Sequence, residues 1–292
     1  MDRTTRIFRD RLCAGEVVAG TWAVMPSPWV VEVLASAGFD FIVVDMEHGP
    51  ADFAVATDMI RAAEIHGCAP LVRVPALEES AILRALDIGP TGLLVPQIQS
   101  GKDVELVIQY AKYPPIGSRG HSPFTRSGGF SHHDAAANVD QVNRELTVGI
   151  LVEGTEGISA FEEILEAGQG EIDLIYIGLY DLAKSMGHPG DIRHPEVTAE
   201  MVRCVQLARE VNIATGTIAD SLESIDELIG HGVQMIAFLN DTGIETLPWF
   251  AQPGYRSWYT YTEKRKIENA WEKIKTTMQF GALVLRNKFL II

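Results

Sequence analysis

Apolar residues along the chain fall into short continuous runs, and most runs follow an amphipathic stretch that ends near a glycine. The stretch "VVEVLASAGFDFIVVD" shows the unit first; "ILRALDIGPTGLLVPQI", "FEEILEAGQGEIDLIYIG" and "IDELIGHGVQMIAFLN" repeat it. In each, a glycine near the helix end (Gly38, Gly89, Gly168, Gly232) is expected to supply the left-handed C-cap. The run that follows is too continuous for a strand with one wet face, so both faces must be covered, as in a parallel sheet. The runs predict eight strands, over 18–24, 41–47, 70–74, 92–98, 147–153, 172–178, 213–218 and 234–239. Helical patterns such as 101–112 and 196–210 separate them. Eight alternating units favour an α/β fold of the (β/α)8 TIM-barrel type over a doubly wound sheet.

Two segments break this rhythm. Residues 113–143 are rich in Gly, Ser, His and Pro and are expected to form a long functional loop at the top of the fourth strand. After residue 245 an aromatic patch, a polar helix and the apolar "FGALVLRNKFLII" follow. The expected division is a barrel over 1–245 and a helical extension over 246–292 that packs on this subunit or a neighbour.

Composition narrows the partners. With 292 residues, 47% hydrophobic and 22% charged, the chain can bury a large core. Its formal net charge of −15 disfavours nucleic acid and membrane and favours cations. Cys13, Cys68 and Cys204 are scattered, which fits a reducing cytoplasm rather than a disulfide scaffold. No apolar run suits a secretory signal or a bilayer span.

Catalytic groups of such barrels sit at the strand ends. Strand two ends in Asp45, Glu47 and His48, strand three in Arg73, strand four in Gln97, strand five in Glu153, and strand six runs into Asp181. Thr215, Thr217 and Asn240 close the last two strands. A buried Arg73 requires an anion, either a neighbouring carboxylate such as Asp45 or Glu47, or a substrate carboxylate or developing enolate. Glu153 and Asp181, on successive strand ends, suit a Mg²⁺- or Mn²⁺-type site; alternatively Asp181 caps the helix after it. His48 beside two carboxylates has the form of an oriented general base. "SHHD" at 131–134 reads as a lid or solvent-exposed segment rather than a metal cluster.

The segments "GFDFIVVDMEHGPAD", "APLVRVP", "ALDIGPTGLLVPQIQS", "YPPIGSRG", "LVEGTEGI" and "IGLYDLAKSMGHPGDIRHPEV" occur in order and resemble the class II, metal-dependent pyruvate aldolases. That family includes 4-hydroxy-2-oxoheptanedioate and 2-keto-3-deoxy-sugar-acid aldolases. The resemblance implies a (β/α)8 barrel, commonly a hexamer, with a divalent metal (Mg, Mn or Co) and a 2-oxo acid substrate. It implies Glu153 and Asp181 as metal ligands, and His48 as the base, acting through a water on the metal and oriented by Asp45. Arg73 would steady the enolate oxygen. Gly178 and the backbone around Tyr180 and Asp181 would receive the pyruvate carboxylate. Gln97 would line the substrate pocket, and Glu47 would hold the metal's waters. Leu151 stands where the family has glutamine, Leu179-Tyr180 where it has Pro-Ala, and the stretch past 245 is longer and more aromatic. The implied activity is cleavage of a 4-hydroxy-2-oxo acid. The alternatives are other metal-enolate chemistry, as in a decarboxylase or citrate-lyase-like enzyme, and a non-catalytic binding barrel.

Overall fold

The computed structural model describes residues 3–133 and 135–242. The expected extension over 246–292 lies outside the described residues. An opening helix α1 (Arg3–Cys13) precedes β1 (Val18–Ala23), α2 (Pro28–Ser36), β2 (Phe41–Asp45), α3 (Phe53–Ile65), β3 (Ala69–Arg73), α4 (Glu79–Asp87) and β4 (Gly92–Val95). The chain continues through α5 (Gly101–Ala111), α6 (Ala135–Glu145), β5 (Thr147–Val152), α7 (Thr155–Ser159), α8 (Phe161–Gly168) and β6 (Leu174–Ile177). It then passes through α9 (Leu179–Ser185), α10 (Pro195–Glu210), β7 (Ala214–Ala219), α11 (Leu222–His231) and β8 (Met235–Asn240). All eight strands pair parallel in chain order and β8 closes on β1, giving a (β/α)8 barrel.

Strand alternation sorts the core into two layers. Phe41, Val43, Leu71, Leu94, Leu151, Leu174 and Tyr176 fill the barrel interior, while Ile42, Val44, Val72, Val95, Ile150 and Ile177 pack outward under the helices. Phe8 and Leu12 of α1 join the interior cluster, and Phe8 meets Phe41 edge-on at 6.0 Å between ring centroids. The same alternation carries Asp45, Arg73 and Glu153 inward at the C-terminal mouth, two residues beyond Val43, Leu71 and Leu151.

Two expectations are corrected. Gly38, Gly89 and Gly232 have φ of 99°, 74° and 101°, but Gly168 is the last residue of α8 and Gly170 takes the left-handed conformation at 88°. A Cβ on Gly168 would come within 3.1 Å of Ile172, so that glycine serves close packing. The loop after α5 also lies elsewhere than expected. Helix α5 runs back from the mouth, so residues 112–133 sit at the N-terminal end of the barrel. There Ser127 donates to the carbonyl of Asp87, and Arg126 donates to that of Gly89 and pairs with Glu64. The second half of the expected loop is helix α6. His132 and His133 are exposed at that end, away from the mouth.

Cys68 and Cys204 are buried and Cys13 is exposed, all three as free thiols; burial pushes the Cys204 thiol up to about 12. Among the described residues no helix is long and apolar enough to cross a membrane.

Candidate active site

Asp45 and Arg73 are register partners in β2 and β3, which decides their relation. Arg73 Nε donates to Asp45 Oδ1 at 2.9 Å and its terminal nitrogen to Oδ2 at 2.5 Å, a bidentate pair. The other terminal nitrogen lies 3.0 Å from Glu47 Oε2. The guanidinium stacks 4.5 Å above the Trp22 ring, whose Nε1 donates to the buried Tyr176 hydroxyl at 3.0 Å. Burial acts to lower the Arg73 pKa, but the bonds and charges of Asp45, Glu47 and Glu153 outweigh it and the net shift is upward. Of the two anions the sequence allowed for Arg73, the neighbouring carboxylate is present.

Asp45 also shapes the turn after β2. Its Oδ1 accepts from the main-chain N–H of Glu47 at 3.0 Å and of His48 at 3.2 Å. A Cβ on Gly49 would lie 2.3 Å from the Asp45 carbonyl oxygen, so only glycine lets the chain fold back here. His48 is exposed. The expected orientation of its ring by Asp45 is therefore revised: these bonds hold the His48 backbone, and Asp45 is committed to Arg73.

Glu153 follows β5 with Oε1 accepting from the Gln97 N–H at 2.9 Å. Gln97 has φ of 59°, a left-handed conformation that aims its N–H inward, and its Nε2 donates to Glu47 Oε1 at 2.9 Å. One residue thus fixes two carboxylates. Burial raises the Glu153 pKa; the Gln97 bond and Arg73 oppose this, while Glu47 and Asp181 add to it.

Gly178 lies against Glu153: a Cβ there would come 2.7 Å from Glu153 Cβ and 2.9 Å from Oε2. Asp181 stands in the first turn of α9, which has no side-chain cap bond, and pairs with Lys184 at 2.9 Å. Tyr180, beside it, is 51% exposed. Leu151 is buried in the interior opposite Tyr176. Thr217 donates to the Ile177 carbonyl at 2.7 Å and serves the sheet. The sequence reading missed Trp22 and Tyr176; the signal was present, because both fall on the inward alternation of their strands.

The donor set fits a divalent cation. Asp45, Glu47, Glu153 and Asp181 face Arg73 and Lys184, leaving an excess of negative charge. The Glu47 side chain is only 10% exposed, yet its Oε2 has no hydrogen bond, the contact with Arg73 being an ion pair without hydrogen-bond alignment. A buried carboxylate oxygen without a hydrogen bond, next to Glu153, is what a hard cation with oxygen ligands relieves.

Known proteins are similar to this chain in sequence and in fold. The chain is 31% identical over 237 residues to a 5-keto-4-deoxy-D-glucarate aldolase of Escherichia coli, covering 81% of this chain and 91% of that one. A solved HpcH/HpaI aldolase/citrate lyase family protein from Burkholderia cenocepacia superimposes with a TM-score of 0.78 at 29% identity, covering 82% of this chain and 95% of the other. A solved citrate synthase, SbnG, gives 0.74 at 28%, covering 83% and 94%. The family model for HpcH/HpaI aldolase/citrate lyase matches residues 19–245, and the chain belongs to that family.

Proposed function

We propose that the protein is a metal-dependent aldolase, a carbon–carbon lyase that cleaves a 4-hydroxy-2-oxo acid to pyruvate or a similar 2-oxo acid plus an aldehyde. The observation that carries this reading is the carboxylate-backed Arg73 beside half-buried Glu153 at one barrel mouth, with the unbonded Glu47 oxygen at their side. Retro-aldol cleavage removes the 4-hydroxyl proton and breaks the C3–C4 bond. The electron pair left on C3 spreads into the 2-oxo group as an enolate, and C3 then takes a proton.

Each step has a candidate residue. His48, exposed at the mouth, takes the 4-hydroxyl proton. Arg73, kept charged by Asp45 and Glu47, sets positive charge beside the oxygen where negative charge develops. Main-chain N–H groups of Tyr180 and Asp181, in the first turn of α9 beside Gly178, receive the substrate carboxylate, and Gln97 lines the mouth; the Gly178 N–H itself is taken by the Val152 carbonyl at 3.1 Å. Glu153 and Asp181 hold the divalent cation, read as magnesium, manganese or cobalt, with Glu47 behind them. Bound there, the cation supplies Lewis-acid charge to the 2-oxo acid.

Residues 1–245 form the catalytic barrel in this reading, and 246–292 pack on a neighbouring subunit of a homo-oligomer, a hexamer or a dimer-based assembly. Cytoplasmic location completes it. Exchange of pyruvate methyl protons in D₂O, followed by NMR, tests the chemistry. Exchange that requires an added divalent ion supports the aldolase; none with Mg²⁺, Mn²⁺ or Co²⁺ favours a binding barrel. The similarity to a citrate synthase supports the runner-up, other enolate chemistry on the same site. Exchange without aldehyde release from any 4-hydroxy-2-oxo acid in a panel selects it.

A further inference from the structure

The connection from α9 to α10 gathers a second set of metal-ligating side chains, and none of them takes part in the reaction above. Its sequence is "GHPGDIRHPE", residues 187–196. His188, His194 and Glu196 each offer a ligand atom, and these atoms lie within 4.8 Å of one another. His188 Nε2 is 3.0 Å from Glu196 Oε2. The two imidazole rings stack with centroids 3.4 Å apart and planes inclined by 13°.

Local backbone chemistry builds this cluster. The N–H of Asp191 donates to the His188 carbonyl at 3.0 Å, and that of His194 to the Asp191 carbonyl at 3.1 Å, so the chain doubles back. Gly190, at φ of 82°, makes the reversal. Pro189 and Pro195 fix the backbone directly after each histidine. Arg193, the cation nearest in sequence, is drawn away to Asp220 and Ser221. The stacked rings set two imidazoles beside a carboxylate, whose pKa the His188 hydrogen bond holds below the usual range.

We propose that His188, His194 and Glu196 bind a borderline transition-metal cation of the Zn²⁺, Co²⁺ or Ni²⁺ class, at a site sharing no residue with the Glu153–Asp181 centre. Two imidazoles and one carboxylate with open positions for water suit such ions, whereas Mg²⁺ prefers an all-oxygen set. The ion takes the place of the proton between His188 Nε2 and Glu196 Oε2, and that proton moves to His188 Nδ1 or leaves to solvent. His194 Nδ1 accepts only a long bond, 3.3 Å from the Glu196 N–H, and the ring gives up little of its capping when it turns a lone pair toward the ion. The rings tilt out of parallel as their lone pairs converge. Binding ties the end of α9, the helix that carries Asp181, to the first turn of α10.

The test uses untagged full-length protein carrying Glu153→Gln, which removes a ligand of the barrel mouth. Equilibrium dialysis against Zn²⁺, and the visible absorption of bound Co²⁺, report the site without any activity measurement. The expected result is about one ion per chain that survives Glu153→Gln and a large excess of Mg²⁺. Adding His188→Ala or Glu196→Gln weakens it by about tenfold or more. Both side chains lie outside the core, so melting curves of these variants should match the parent; His194, the N-cap of α10, is left intact. Binding that persists undiminished in His188→Ala and Glu196→Gln overturns the proposal, as does an absence of bound ion in Glu153→Gln at millimolar Zn²⁺.

Discussion

Asp45 accepts four hydrogen bonds, two from Arg73 and one each from the N–H groups of Glu47 and His48, so it fixes the turn that presents His48. The exposed His48 ring makes little contribution to folding. Replacing it with alanine should therefore separate chemistry from structure. His48→Ala is expected to lower kcat by about 10²–10⁴-fold, with stability changed by no more than about 0.5 kcal/mol and cation affinity unchanged by calorimetric titration. Glu153 gives a prediction of opposite kind. Its pKa is raised in the folded protein, chiefly by burial, so its protonated form favours folding. That contribution is complete at low pH and is lost as pH rises through the folded-state pKa. In chelator-treated protein, Glu153→Gln should melt above wild type near about pH 8, and the gap should close toward about pH 4. A variant that melts below wild type at the higher pH would show the carboxylate to be a net stabiliser even without a cation. Every acid and base of the mouth was legible as a polar residue ending an apolar run. A carboxylate partner for Arg73, Asp45 or Glu47, was legible as one of two alternatives; that Asp45 takes the bidentate contact was not, because it depends on the register between two strands. Nor was the left-handed Gln97, since its conformation is imposed by bonds to Glu47 and Glu153 that lie 50 and 56 residues away.

The junction of β6 and α9 shows what an element boundary contributes. Gly178 is the N-cap of α9 and touches Glu153, whose carboxylate is already pinned by the Gln97 N–H. A methyl group at 178 would fall 2.9 Å from Glu153 Oε2, so the glutamate must move and strain or lose that bond. Gly178→Ala is expected to cost about 1–3 kcal/mol in denaturant unfolding and to weaken divalent-cation binding by about tenfold or more. Unchanged affinity with lowered stability would argue against Glu153 as a ligand. Element existence was readable from the sequence because each buried parallel strand is a continuous apolar run. Element ends were less so. The run 92–98 predicts a longer strand than Gly92–Val95, since the chain leaves the ladder at Pro96 and Gln97 to reach Glu153. The side of the barrel for residues 112–133 was available too, because a helix following a parallel strand must return to the opposite end. Their glycine and histidine content pointed instead to the mouth.

At the scale of the molecule, closure of β8 on β1 hides every strand edge, so self-association of the barrel has to use side chains rather than backbone. The barrel offers them at its N-terminal end. Phe124 and Phe130 are 68% and 65% exposed, and Ile65, 71% exposed, follows Glu64, which is clamped by Arg126 of the same loop. Phe130 has φ of 56°, unusual for a bulky residue, and the loop around it is bonded to the barrel through Arg119, Arg126 and Ser127. Large apolar side chains displayed on an anchored loop require a covering surface, and a net charge of −15 opposes association unless apolar contact outweighs it. A lasting interface buries about 1,200–2,000 Å² in total, more than these few side chains supply alone, so residues 246–292 are expected to contribute. Light scattering of the full chain at micromolar concentration should therefore give a multiple of the protomer mass, with added salt favouring assembly. Phe124→Glu combined with Phe130→Glu should reduce that mass and leave the barrel's melting transition nearly unchanged. Deleting 246–292 separates the two contributions: assembly that survives the deletion but not the double substitution assigns the contact to the loop. A full chain that scatters as a monomer refutes the homo-oligomer.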